Sequence, residues 1–180
     1  MKPQLSQRWL VLAACVLALG NAHALTKEEA KVQKDRVEAD YKAAREACNS
    51  QSGNAKDVCV TDAKGKRDVA EAEIKYQLSG KAGDADKLAK TKAKAEYDTA
   101  KQKCDALKGN EKDVCMKEAK AAETRGLADA KAHKETREAR KEANEDITEA
   151  NYKAAKEKCD ALSGDTKDRC QADVKAKYGK

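Results

Sequence analysis

Apolar positions in this chain recur with helical spacing, and most of them are alanine. Around residue 100, Tyr97, Ala100, Cys104 and Leu107 follow one another at intervals of three, four and three, which places all four on one narrow stripe of a helix. Gly109 comes next, where a helix is expected to end on a left-handed residue. Asn110 then reads as the N-cap of a second helix. Asp113 follows at its third position, with its charge near the helix N-terminus. Helix, glycine, asparagine, helix is the order of a tight αα-turn. The same order stands at Gly53-Asn54-Ala55-Lys56-Asp57 and at Gly164-Asp165-Thr166-Lys167-Asp168.

Each of these turns lies between two cysteines that flank ten residues: Cys48 and Cys59, Cys104 and Cys115, Cys159 and Cys170. The unit recurs every 55 to 56 residues, and each copy carries a tyrosine seven residues before its first cysteine, at Tyr41, Tyr97 and Tyr152. Such self-similarity marks a repeat architecture. Within one unit the cysteines sit five residues before the glycine and six after it, at matching heights on the two arms. A disulfide needs Cα atoms about 5.5 Å apart, less than the usual 8–10 Å between helix axes. Facing positions reach that distance when their neighbours are small. Six cysteines allow 15 pairings in principle, and the repeat selects the three local ones.

Beyond each tip the second arm places Ala63, Ala119 or Val174 four residues past its cysteine, and the first copy continues the stripe with Ala70 and Ile74. The seam of each hairpin is therefore expected to comprise the cysteines, the small residues, Tyr41, Tyr97 and Tyr152, and the tip leucines Leu107 and Leu162. Ser79-Gly80-Lys81-Ala82-Gly83-Asp84 breaks the chain between the first two copies, with Asp84 able to cap a new helix. No breaker separates copies two and three, so the helix is expected to run on, with Gly126 as a point of loosening. The alternating charges of Lys134 to Glu145 suit a solvated helix. The expected fold is all-α: an extended array of three αα-hairpins, each closed by a local disulfide, with a long helix joining hairpins two and three. The expected units are a signal peptide at 1–24 and repeats at 25–79, 84–134 and 135–180.

Composition explains why staples matter. After residue 24 the chain has no Trp, Phe or Pro, and Leu, Ile and Val together make up only about a tenth of it. Such a low level normally signals disorder. Here the bulk is Ala, Lys, Glu and Arg, which are strong helix formers, and proline, the strongest breaker, is missing. Closing a loop of this size contributes about 3 kcal/mol in the chain-entropy account, a large share of a small protein's net stability.

Residues Met1 to Ala24 read as a secretory signal: Lys2 and Arg8, an apolar stretch from Trp9 to Gly20, then Ala22-His23-Ala24 as a cleavage pattern. The alternative is a lipobox at Leu12-Ala13-Ala14-Cys15, which would anchor a lipoprotein through Cys15. Export delivers the remaining six cysteines to an oxidising compartment, where disulfides persist. Loss of Lys2 and Arg8 lowers the formal charge from +6 to about +4. Acidic residues interrupt almost every basic run, which argues against a specific nucleic-acid face. No later stretch is long and apolar enough to span a membrane.

Catalytic and metal chemistry find no foothold in the pattern. The ten-residue gap is not the short Cys-x2–4-Cys knuckle of zinc sites, nor the Cys-x-x-Cys of redox catalysts. His133 is the single histidine after the signal. The repeated Lys-Asp pairs (Lys56-Asp57, Lys112-Asp113, Lys167-Asp168) fit first-turn helix positions better than a dyad. No catalytic residue, cofactor or metal is therefore expected.

The segments Tyr-x-x-Ala-Lys-x-x-Cys-Asp-Ala-Leu-x-Gly-[Asn/Asp]-x-Lys-Asp-x-Cys at 97–115 and 152–170 resemble those of uncharacterised exported Ala/Lys-rich proteins of Gram-negative bacteria. These are often labelled TolA-like or cell-envelope-biogenesis proteins. The first copy departs from the pattern with Asn49-Ser50-Gln51-Ser52. The resemblance implies a periplasmic or secreted protein. The expected function is a non-catalytic structural, interaction or stress-protective role with a protein partner in the envelope. The alternative is a holdase chaperone for unfolded clients. Oligomeric state and the identity of any partner are not legible in the sequence.

Overall fold

The computed structural model describes residues 25–179. The expected signal segment, with Cys15, lies outside them. Five helices follow in order: α1 (Lys27–Ala47), α2 (Gly53–Ser79), α3 (Ala82–Cys104), α4 (Gly109–Asp160) and α5 (Gly164–Tyr178), with a short 3-10 turn at Cys48–Ser50. Among the described residues there is no strand. The three local disulfides close hairpins α1–α2, α3–α4 and α4–α5, and the fold is the all-α stapled array that the repeat predicts.

α1 begins at a reciprocal capping box. The Thr26 hydroxyl accepts from the Glu29 amide at 3.2 Å, and the Glu29 carboxylate accepts from the Thr26 amide at 2.9 Å. Two of the amides left over at a helix start are satisfied in this way. Its sequence signal is Thr, two residues, Glu, which helical periodicity does not reveal.

Each helix packs on its sequence neighbours: α1 on α2, α2 on α3, α3 on α4 and α4 on α5. The buried residues are nearly all small: Ala30, Cys48, Ala63, Gly65, Ala93, Cys104, Ala119, Ala130 and Cys159, with Ile74 the one larger aliphatic among them. Helices with such seams approach closely. A Cβ built on Gly65 would lie 3.0 Å from the Ala95 Cβ, and one on Gly126 would lie 2.9 Å from the Ala93 Cβ. Gly126 is thus not a loosened point. It sits inside unbroken α4, where the absence of a side chain lets α3 and α4 meet.

The segment after Ser79 also behaves differently from a plain connector. It is itself a tight turn, which lays α3 back along α2 in the most extensive helix–helix contact of the molecule. Gly80, at φ 60°, ends α2 on a left-handed residue, and its amide donates to the Tyr76 carbonyl at 2.8 Å. Asp84 is not the N-cap, which is Lys81. It lies buried one turn further on and accepts from the Ser79 hydroxyl at 2.7 Å, with Lys75 at 3.5 Å and Lys87 at 3.9 Å. The Ser79 bond and the two ammonium groups hold its carboxyl below the usual Asp range. Asp84 pins the fold-back that joins hairpins one and two side by side.

α4 then runs 52 residues without a break, about 78 Å at helical rise. Its first part packs on α3, which reaches Arg137 through an ion pair to Asp86, and its last part packs on α5. Between them almost every residue is exposed. Pairs four apart support this stretch: Lys131 with Glu135, Lys134 with Glu138, and Lys141 with Glu145. A helix that is polar all round is a solvent-bridging element.

The stapled hairpin tips as the candidate functional site

The three tips share one backbone solution. The first arm ends within one residue of its cysteine, at Ala47, Cys104 or Asp160, and the amide three residues past the cysteine donates back to that cysteine's carbonyl. The distances are 3.1 Å for Gln51 to Cys48, 3.0 Å for Leu107 to Cys104 and 3.0 Å for Leu162 to Cys159. The second arm then starts at a left-handed glycine, Gly53, Gly109 or Gly164, with φ of 55°, 53° and 58°. A Cβ is strained at such angles, so glycine is the natural residue there.

The tips depart from two sequence expectations. The glycine does not end the first arm on the helix itself: several residues of loop separate them, and it opens the second arm instead. Leu107 and Leu162 therefore leave the helical stripe and stand 37% and 40% exposed, outside the seam assigned to them. The caps differ as well. Ser52, Lys108 and Ser163 hold the N-cap positions with no side-chain cap bond, so Asn110 and its counterparts do not cap. Asn54 instead donates to the Gln102 carbonyl at 2.7 Å, a group in the last turn of α3. This bond sets tips one and two side by side, while tip three lies at the far end of α4.

The bridges have the same spacing throughout, with Cα separations of 5.6, 5.6 and 5.7 Å. That distance falls in the normal range for disulfides. Comparison with protein-family models, curated proteins and solved structures finds no match to this chain.

The Lys-Asp repeat has a structural use that its sequence position conceals. Lys112 reaches across the loop to Asp105 at 2.8 Å, and Lys167 reaches Asp160 at 2.9 Å. The lysine three before the second cysteine is thus tied to the aspartate just after the first. In copy one that aspartate is Asn49, which carries no charge. The lysine hydrogen bonds hold Asp105 and Asp160 below the ordinary Asp value of 3.8. A carboxylate whose pKa falls on folding stabilises the folded state above the unfolded value, and loses that contribution as pH drops through its folded value. Titration of the two side chains by NMR should place both midpoints below 3.8. In Lys112→Ala, Asp105 should return to the ordinary range; an unchanged midpoint would mean that lysine is not its partner.

The three seam tyrosines lie half-buried against the opposite arm. The Arg67 guanidinium stands 4.5 Å from the Tyr41 ring centre, and the Lys120 ammonium 5.2 Å from that of Tyr97. Tyr152 meets Tyr178 edge-on at 6.1 Å. Two of the three contacts are cation–π pairs, which join an apolar body to a charged surface. Ala63 and Ala119 are buried and Val174 is half-buried. His133 is exposed on α4. Among the described residues no group of three or more His, Cys, Asp or Glu could hold a metal ion, and no helix is long and apolar enough to cross a membrane. An open groove of about 760 Å³ follows one face of the α2–α3 pair, where Lys64, Lys75, Lys87 and Lys94 alternate with Asp68, Asp84 and Asp98.

Proposed function

We propose that this chain is a non-catalytic periplasmic repeat protein of the cell envelope, with a structural, interaction or stress-protective role. The observation that carries the reading is the threefold use of a local disulfide at the tip of a helical hairpin whose seam otherwise consists mostly of small residues and one tyrosine. Disulfides persist where thiols are oxidised, and a chain with so little apolar surface gains more from them than from a core. The long charged helix between hairpins two and three supports a spacer over a compact binder. The Lys/Glu-rich faces suit a protein partner. Cell fractionation with a pull-down from the oxidised envelope tests both location and partner; a reduced cytoplasmic pool would overturn the proposal.

A holdase chaperone is the second reading, and one observation favours it. Leu107, Val114 and Leu162 stand 37%, 45% and 40% exposed at tips two and three, where a client could reach them. Each tip exposes only one or two such side chains, whereas client capture calls for a large contiguous apolar patch. The expected result is that an equimolar amount of this protein leaves the aggregation of a reduced client unslowed. Strong suppression that disappears in Leu107→Ser with Leu162→Ser would reverse the ranking.

A further inference from the structure

Each bridge is shielded on one side. Cys48, Cys104 and Cys159 are fully buried, with 0% of their surface accessible. Their partners Cys59, Cys115 and Cys170 are only half-buried. The asymmetry is identical in three copies whose loop sequences differ, so it belongs to the backbone solution of the tip. The first cysteine lies where the chain folds back over the end of its arm, its carbonyl taken by the returning loop. The second lies on the flank of a helix.

Thiol–disulfide exchange requires a thiolate to reach one sulfur and expel the other, and access decides which sulfur is attacked. We propose that Cys59, Cys115 and Cys170 are the entry sulfurs of the three bridges for a thiol reductant. The incoming thiolate bonds to the Sγ of the second cysteine. The S–S bond breaks, and its electron pair leaves with the Sγ of Cys48, Cys104 or Cys159, which takes a proton from water as the tip opens. A second thiol of the reductant then attacks its own sulfur in the mixed disulfide and releases the second cysteine as a thiolate. The bridge gains two electrons and the reductant, now a disulfide, loses two. Any oxidoreductase acting on the folded protein would be held covalently through the second arm of a hairpin.

The test uses the oxidised protein and glutathione. After brief exposure, acid quenching and alkylation of free thiols, peptide mapping locates each adduct. Glutathione is expected on Cys59, Cys115 and Cys170, with the alkyl group on Cys48, Cys104 and Cys159. The reverse pattern, an even distribution, or exchange only after global unfolding would each overturn the proposal. Single variants give an independent readout with Ellman's reagent. The Cys59 thiol left by Cys48→Ala should react roughly tenfold faster than the Cys48 thiol left by Cys59→Ala. Equal rates, with the glutathione adducts also evenly spread, would show that the shielding is not maintained in solution.

Discussion

Reduction of the three bridges is expected to lower the thermal midpoint markedly while leaving most of the helical circular-dichroism signal in place at low temperature. Each bridge closes a loop whose ends are 11 residues apart, which the chain-entropy account values at about 3 kcal/mol. The effect should be local, since each bridge constrains one tip. Hairpin three should loosen first: α5 has no fully buried residue, and it packs on α4 alone. The α2–α3 pair should loosen last, because its large contact contains no disulfide and its turn is pinned by Asp84. Hydrogen exchange resolved by segment checks this order. An unchanged midpoint would mean the staples are incidental, and complete loss of helicity would mean the alanine seams contribute almost nothing.

That hierarchy marks the boundary of what the sequence discloses. The hairpins, the pairing of their cysteines and the left-handed tip glycines follow from a pattern stated three times, with residue types that have few other uses at those positions. The contact between α2 and α3 does not. It is made at Gly65 and Ala95, and in a chain so rich in alanine a buried alanine looks the same as an exposed one. Leu107 and Leu162 show a different failure. Both continue a helical stripe by spacing, yet an i to i+3 hydrogen bond at each cysteine ends the helix before them. Periodicity detects which residues share a face while the helix lasts and says little about where it stops. The Lys112–Asp105 and Lys167–Asp160 pairs escape for a related reason: the partners meet across a loop, where helical spacing has no meaning.

The close approach at Gly126 gives the largest expected effect of a single substitution outside the cysteines. Gly126→Leu should destabilise the α3–α4 hairpin by about 1–3 kcal/mol or more, the usual cost of forcing extra atoms into a tight contact. The first atom added already lies 2.9 Å from the Ala93 Cβ, with the Ala93 Cα at 3.7 Å, and a leucine has three more carbons to place. Alanine at this site sets two effects against each other. It gains up to about 1 kcal/mol of helix propensity over glycine and loses part of that to the clash. The natural control is Gly83→Ala in the first turn of α3, where nothing lies within 4 Å of an added Cβ. There propensity acts alone, and the variant should be neutral or more stable. Urea unfolding of the two variants separates the cases. If Gly126→Leu unfolds at the same denaturant concentration as the parent, α3 and α4 are not in the close contact described, and the small-residue seam would no longer account for how a chain nearly without large apolar residues holds its helices together.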